Sequence, residues 1–153
     1  MKKSLLRNED ILLNVEAKDW EDAVKAVGAV MEKQGLVEHR YINSMVNVVR
    51  ELGPYIVLAP GIALPHARPE DGALATGIGL ITLSEPVPFG SADNDPVKIV
   101  IGLASKDNTS HIGLLRQLCE FLEDDANVDM LRNATDGDAV AALINEYGKE
   151  ELE

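Results

Sequence analysis

The sequence predicts an α/β fold: a single-domain sandwich whose mixed, mostly buried sheet of about five strands is covered by helices on both faces. Three observations carry this expectation. Helical periodicity fills the early and late parts of the chain, and short apolar runs rich in β-formers fill the middle. The 153 residues, 46% of them hydrophobic, suit one ordinary domain with a sizeable core. One domain over 1–153 is therefore expected, ending in an acidic tail at about 149–153.

Each element has its own signal. Ile11, Leu13 and Val15 alternate with other residues and predict a half-buried strand. Asp19 is a plausible N-cap for a first helix, whose apolar positions Trp20, Ala23, Val24, Val27, Val30 and Met31 recur at helical spacing until Gly35 stops it. A second helix from about Glu38 sets Ile42, Met45, Val46, Val49 and Leu52 on one face and ends at Gly53-Pro54, with Arg50 off that stripe. The runs 55–58, 77–83 and 97–103 read as buried strands. Prolines, a glycine and acidic residues make 84–96 a long surface connection with room for a short edge strand. From Ser110 the helical period returns through Ile112, Leu115, Leu118, Cys119 and Leu122. A last helix, capped by Thr135 or Asp136, faces inward through Val140, Leu143, Ile144 and Tyr147.

Charge and composition exclude several functions. Lys and Arg number 14 against 26 Asp and Glu, and the resulting net charge of -12 opposes binding to a phosphate backbone, so no nucleic-acid partner is expected. Charges interrupt the N-terminus before an h-region can form, and no later stretch reaches the roughly 18 to 20 apolar residues of a membrane span. A cytoplasmic protein without direct membrane insertion is expected. The single cysteine excludes an internal disulfide framework.

The chemistry-bearing residues are few. His66 closes the apolar run 59–65 directly after Pro65, and proline stiffens the segment that holds it. Arg68 follows two residues later, a pairing that suits a nucleophile handling a charged group such as phosphate. His66 is open, on spacing alone, between a packed loop histidine and a nucleophile. His111 stands where a helix opens; it either packs in the first turn or donates to an anion near the unpaired backbone N–H groups there. His39, among Glu38, Arg40 and Tyr41, is explained by a solvated helix face. A metal site built from His66, Glu70, Asp71 and His111 lacks the short pairing of histidine ligands, and no metal is expected. There is no phosphate-binding G-x-x-x-x-G-K-[ST] loop, no complete dinucleotide fingerprint and no G-x-S-x-G, so neither a nucleotide cofactor nor a hydrolase triad is supported. Cys119, on the apolar stripe of its helix, reads as a packed thiol.

The stretch Gly61-Ile62-Ala63-Leu64-Pro65-His66, with His111 at a later helix start, resembles the enzyme IIA domain of the mannitol/fructose class of the bacterial phosphoenolpyruvate-dependent sugar phosphotransferase system. The likeness spans nearly the whole chain. Residues 53–60 leading into that motif, then Arg68-Pro69-Glu70-Asp71-Gly72 and Asp93-Asn94-Asp95-Pro96-Val97, are most similar to the ascorbate-type branch.

The resemblance implies a phosphotransferase component without a cofactor. His66 would take a phosphoryl group from the phosphohistidine of HPr and pass it to a cysteine of a separate enzyme IIB, which serves a membrane IIC. His111 would support the phosphoryl group, and Arg50 matches an arginine near the site in mannitol-type members. Arg68 is a further candidate on chemical grounds. The transferring phosphorus is loose and metaphosphate-like, so the protein has mainly to position the ring and balance charge. One ring nitrogen must be free, and a backbone carbonyl or carboxylate on the other would fix the tautomer. An exposed His66 with an apolar rim from Ile62, Leu64 and Leu114 is expected. Two rival readings stand beside transport: a regulatory IIA-like protein whose His66 phosphorylation state controls a target, and a fold relative that binds a small anion without transfer. The sugar and the oligomeric state are not legible.

Overall fold

The computed structural model describes residues 8–107, 109 and 112–148, with side chains of the last helix described as far as residue 145. His111, the acidic tail at 149–153 and the Tyr147 side chain lie outside the described residues. After a 3-10 turn at Asn8–Asp10, the elements run β1 (Ile11–Val15), α1 (Trp20–Lys33), α2 (His39–Leu52), β2 (Val57–Ala59) and β3 (Ile62–Ala63). A second 3-10 turn at Pro69–Asp71 leads to β4 (Gly77–Val87), β5 (Val97–Ala104), α3 (Ile112–Glu123), α4 (Asp125–Asn133) and α5 (Gly137–Gly148).

The helix boundaries follow the expected chemistry. The Asp19 carboxylate accepts from the Asp22 N–H and caps α1, while Gly35 and Gly53 take the positive φ that ends α1 and α2. Asp136 accepts from the Asp138 N–H where α5 begins. The sheet order is β1-β4-β5-β3-β2, with β1 parallel to β4, β4 antiparallel to β5, β3 parallel to β5 and β2 antiparallel to β3. This is the mixed five-stranded sheet that the sequence predicts.

Both faces of the sheet are covered. In β5, Val100 and Ala104 point to a layer built from α1 and α2, whereas Ile99, Ile101 and Leu103 point to a layer built from α3, α4 and α5. Burial on both faces explains why β4 and β5 read as continuous apolar runs rather than alternating ones. Gly102 lets α1 lie directly on the sheet, since a Cβ there would collide with the Met31 side chain.

Several details differ from the sequence reading. β4 does not stop at 83 but runs through Glu85 and Pro86 to Val87, which pairs with Val97 beyond a register shift. β3 and α4 are additional elements, in stretches to which the sequence reading assigns no strand or helix. In α3 the buried residues are Gln117, Leu118 and Phe121, and Cys119 is exposed rather than packed. Leu52, the last member of the α2 stripe, is 68% exposed, whereas Tyr41, taken with a solvated face, is fully buried.

Candidate functional site around His66

A hairpin delivers the histidine. After Gly53 and Pro54 the chain enters β2, turns at Pro60-Gly61, where Gly61 adopts φ +77, and returns as β3. The Leu64 N–H donates to the Ile56 carbonyl at 2.9 Å, so the residue before Ile56 and the residues after Leu64 emerge side by side. These are Tyr55 and Pro65-His66. The hairpin tip is tied to the 91–96 loop, where the Gly61 N–H donates to the Asn94 carbonyl and Asn94 Nδ2 donates to the Val57 carbonyl. The Asp95 carboxylate in turn accepts from the Phe89 and Gly90 N–H groups, both at 2.8 Å.

The segment carrying His66 is clasped to the centre of the sheet. The Leu103 N–H of β5 donates to the Pro65 carbonyl at 3.0 Å. The Tyr41 hydroxyl, reaching from α2, donates to the Leu103 carbonyl at 2.9 Å and accepts from the Ala67 N–H at 3.0 Å. Burial pushes the Tyr41 phenol up to about 12; the nearby Asp71 carboxylate adds to the rise and the Ala67 hydrogen bond opposes it. Tyr41 is a positioning residue that the sequence reading missed. Its signal was its place with Met45 and Val49 at i, i+4 and i+8 on the buried stripe.

The imidazole itself is oriented by two contacts. Nδ1 lies 2.8 Å from the Leu64 carbonyl, which can only accept, so Nδ1 carries the proton. The Nε2 lone pair is then free to bond outward, and the Tyr55 hydroxyl stands 3.3 Å from it. The rings meet edge to face, with centroids 5.9 Å apart and planes at 87°. His66 borders an open cavity of about 530 Å³, whose other walls include Asn47, Val48 and Leu52 from the end of α2 together with Arg68 and Asp71. A smaller cavity of about 50 Å³ adjoins the other side of His66, walled by Tyr41, Leu103, Ser105 and Asp107 where β5 exits toward α3.

The candidates are therefore sorted by place. Arg68 shares the larger cavity with His66; its side chain is 75% exposed, with Nε 3.6 Å from an Asp71 carboxylate oxygen. Arg50 is not brought to His66: its guanidinium pairs with Glu21 of α1, and it lines neither cavity. His39 pairs with Glu32 at 3.0 Å, in keeping with a solvated face. The expected rim is corrected, because Ile62 and Leu64 are each 2% exposed and Leu114 packs against the layer of α3, α4 and α5. Ile62 belongs to the core because β3 is an interior strand between β5 and β2, and Leu64 continues into the same cluster. Exposed Leu52 and Tyr55 supply the apolar border instead. Among the described residues no group of His, Cys, Asp and Glu is arranged to hold a metal ion, and no helix is long and apolar enough to cross a membrane.

Residues 4–147 match the model of the family described as phosphoenolpyruvate-dependent sugar phosphotransferase system, EIIA 2. The chain belongs to this family. As an EIIA protein it is a component of a phosphotransferase. It is 41% identical over 147 residues, 95% of each chain, to the ascorbate-specific PTS system EIIA component of Shigella boydii. Among solved structures it is similar to the mannitol-specific cryptic phosphotransferase enzyme IIA CmtB of Escherichia coli, at 34% identity and a TM-score of 0.81 over 94% of this chain and 96% of that one. It is also similar to a chain in the complex of Escherichia coli enzyme IIA and phosphorylated enzyme IIB for mannitol, at 32% identity and a TM-score of 0.80 over 91% and 96% of the two chains. The EIIA likeness thus extends over the hairpin, the clasp and both cavities.

Proposed function

We propose that this EIIA protein carries phosphate on Nε2 of His66, taking it from phospho-HPr and giving it to a cysteine of enzyme IIB in an ascorbate-type system. The carrying observation is the Nδ1–H bond to the Leu64 carbonyl, which leaves a lone pair on Nε2 beside an open cavity. The ascorbate assignment is supported by the similarity to the Shigella boydii component. A IIB partner is supported by the likeness to an enzyme IIA found in complex with phosphorylated IIB.

Nε2 attacks the phosphorus of phospho-HPr in line; the P–N bond of the donor breaks as the new one forms, and the donor nitrogen keeps its electron pair. Little proton movement is needed, so catalysis rests on placement and charge balance. Tyr41 and the Pro65–Leu103 bond hold the segment, and the Leu64 carbonyl holds the ring angle. Arg68 is the cation proposed to meet the phosphoryl oxygens, with His111 as the supporting histidine. In the reverse sense, a IIB thiolate attacks the same phosphorus and the electron pair returns to Nε2. In this reading the protein works on the cytoplasmic side of the transport system, with HPr, IIB and a membrane IIC as partners.

The test is to mix the protein with phosphoenolpyruvate, enzyme I and HPr and to measure intact mass. An acid-labile gain of about 80 Da, the mass of one phosphoryl group, is expected on the wild type and absent from His66→Ala. Adding an ascorbate-type IIB should discharge it. A wild-type protein that gains no mass, or a His66→Ala protein that still gains it, overturns the proposal.

A further inference from the structure

We infer that the Tyr55 hydroxyl is a catalytic group of this site, donating to the Nε2 lone pair of His66 in the resting protein and to a phosphoryl oxygen once that lone pair is bonded to phosphorus. The inference rests on His66 being the phosphoryl carrier and goes beyond it by naming a donor that changes partner during the reaction.

The direction of the resting bond is fixed by its neighbour. Because Nδ1–H donates to the Leu64 carbonyl at 2.8 Å, the neutral imidazole has only an acceptor left at Nε2, and the hydroxyl 3.3 Å away must be the donor. The perpendicular ring contact holds the phenol against the imidazole by its carbon framework. Loss of the hydrogen bond therefore does not release the side chain. Its backbone is also restrained, since the Val57 N–H closes a turn across it by donating to the Pro54 carbonyl at 3.0 Å and fully buried Ile56 follows it.

Phosphoryl transfer consumes the lone pair that the hydroxyl occupies. The P–N bond of the donor breaks, the P–Nε2 bond forms, and Nδ1 and Tyr55 both keep their protons. The Tyr55 O–H is then left beside a new group carrying negatively charged oxygens. It has only to rotate about its C–O bond to find one. A hydrogen bond to a charged oxygen is stronger than a long one to a neutral nitrogen, so the exchange favours the phosphorylated state. Arg68 does not make this donor redundant, because its guanidinium is mostly solvated and also engages Asp71.

Tyr55→Phe keeps the ring and removes the donor. With limiting phospho-HPr, the equilibrium fraction of phosphorylated Tyr55→Phe should correspond to a transfer constant about fivefold to tenfold below the wild type. In the unphosphorylated variant the nitrogen-15 resonance of Nε2 should move, because its hydrogen bond is gone, while Nδ1 stays protonated. A wild type that accepts phosphate alongside a Tyr55→Phe protein with an unchanged transfer constant overturns this inference and leaves the carrier role standing. An Nε2 resonance indifferent to the substitution also overturns it. A wild type that accepts no phosphate overturns both.

Discussion

Removing the hydroxyl of Tyr41 tests whether the site depends on a buried clasp. In Tyr41→Phe the ring volume is kept, so the loss comes from the groups the oxygen served: the Leu103 carbonyl at 2.9 Å and the Ala67 N–H at 3.0 Å. A buried polar group left without its partner costs about 1 to 3 kcal/mol, and Ala67 is only partly buried, so the two together should cost about 2 to 3 kcal/mol. For a chain of this size that lowers Tm by about 5 to 10 °C. The substitution should also change the alkaline behaviour. The folded phenol keeps its proton to about 12 against an ordinary value of 10, so the contribution is complete below pH 10 and is lost as pH rises from 10 through 12. That loss is on the order of 2 to 3 kcal/mol in the wild type and absent from Tyr41→Phe. Thermal and urea unfolding at pH 8, 10 and 12 measure both effects. A Tm within about 1 °C of the wild type at pH 8, or a stability gap that fails to narrow toward pH 12, would refute the clasp.

Arg68→Ala should slow phosphoryl acceptance severalfold, whereas Arg50→Ala, whose guanidinium pairs with Glu21, should leave it within about twofold and cost under about 1 kcal/mol of stability. Initial rates with phospho-HPr separate the two, and equal losses would undo the placement argued for Arg68. Cys119 should react with a thiol reagent in the folded protein at a rate near that of a small exposed thiol, because its side chain is exposed. The modified protein should still take phosphate on His66. Protection of the thiol until unfolding would contradict the orientation of α3.

What was legible in the sequence follows from how local each signal is. The cap of α1 and the glycine stops of α1 and α2 are set within a few residues, and they stand where the pattern puts them. Sheet interiors in β4 and β5 are equally plain because burial on both faces leaves no polar alternation to misread. The orientation of α3 was not legible: Leu114, Leu115, Leu118, Phe121 and Leu122 form an arc wide enough to be centred in more than one way, and only packing selects Leu118 and Phe121. Short β3 was hidden for the opposite reason. Two residues carry too little pattern to register, and the strand exists because parallel pairing with β5 supplies its partners.

The same tension runs through the site. His66 was singled out by an unusual neighbour in sequence, Pro65, but Tyr41 and Tyr55 act from 25 and 11 positions away in the chain. Their roles depend on tertiary approach. Tyr41 also directly follows charged residues at a helix start, where a solvated face is the natural local reading, although its i+4 partner is Met45. Leu52 shows the converse: it keeps the helical period, yet the stripe has run beyond the core and its side chain forms the lip of the cavity.

The hydrogen bond between Nδ1 and the Leu64 carbonyl has a consequence for inheritance. Its acceptor is main chain, two residues upstream of the ring, and every amino acid brings a carbonyl to that position. With His66 in place, no substitution at the acceptor position can delete it. Mutation reaches it only indirectly, by altering the turn that aims it. The choice of reactive nitrogen is therefore transmitted with the shape of the hairpin rather than with any one side chain. Side chains around the site can diverge to suit new partners while the same ring atom remains presented to them.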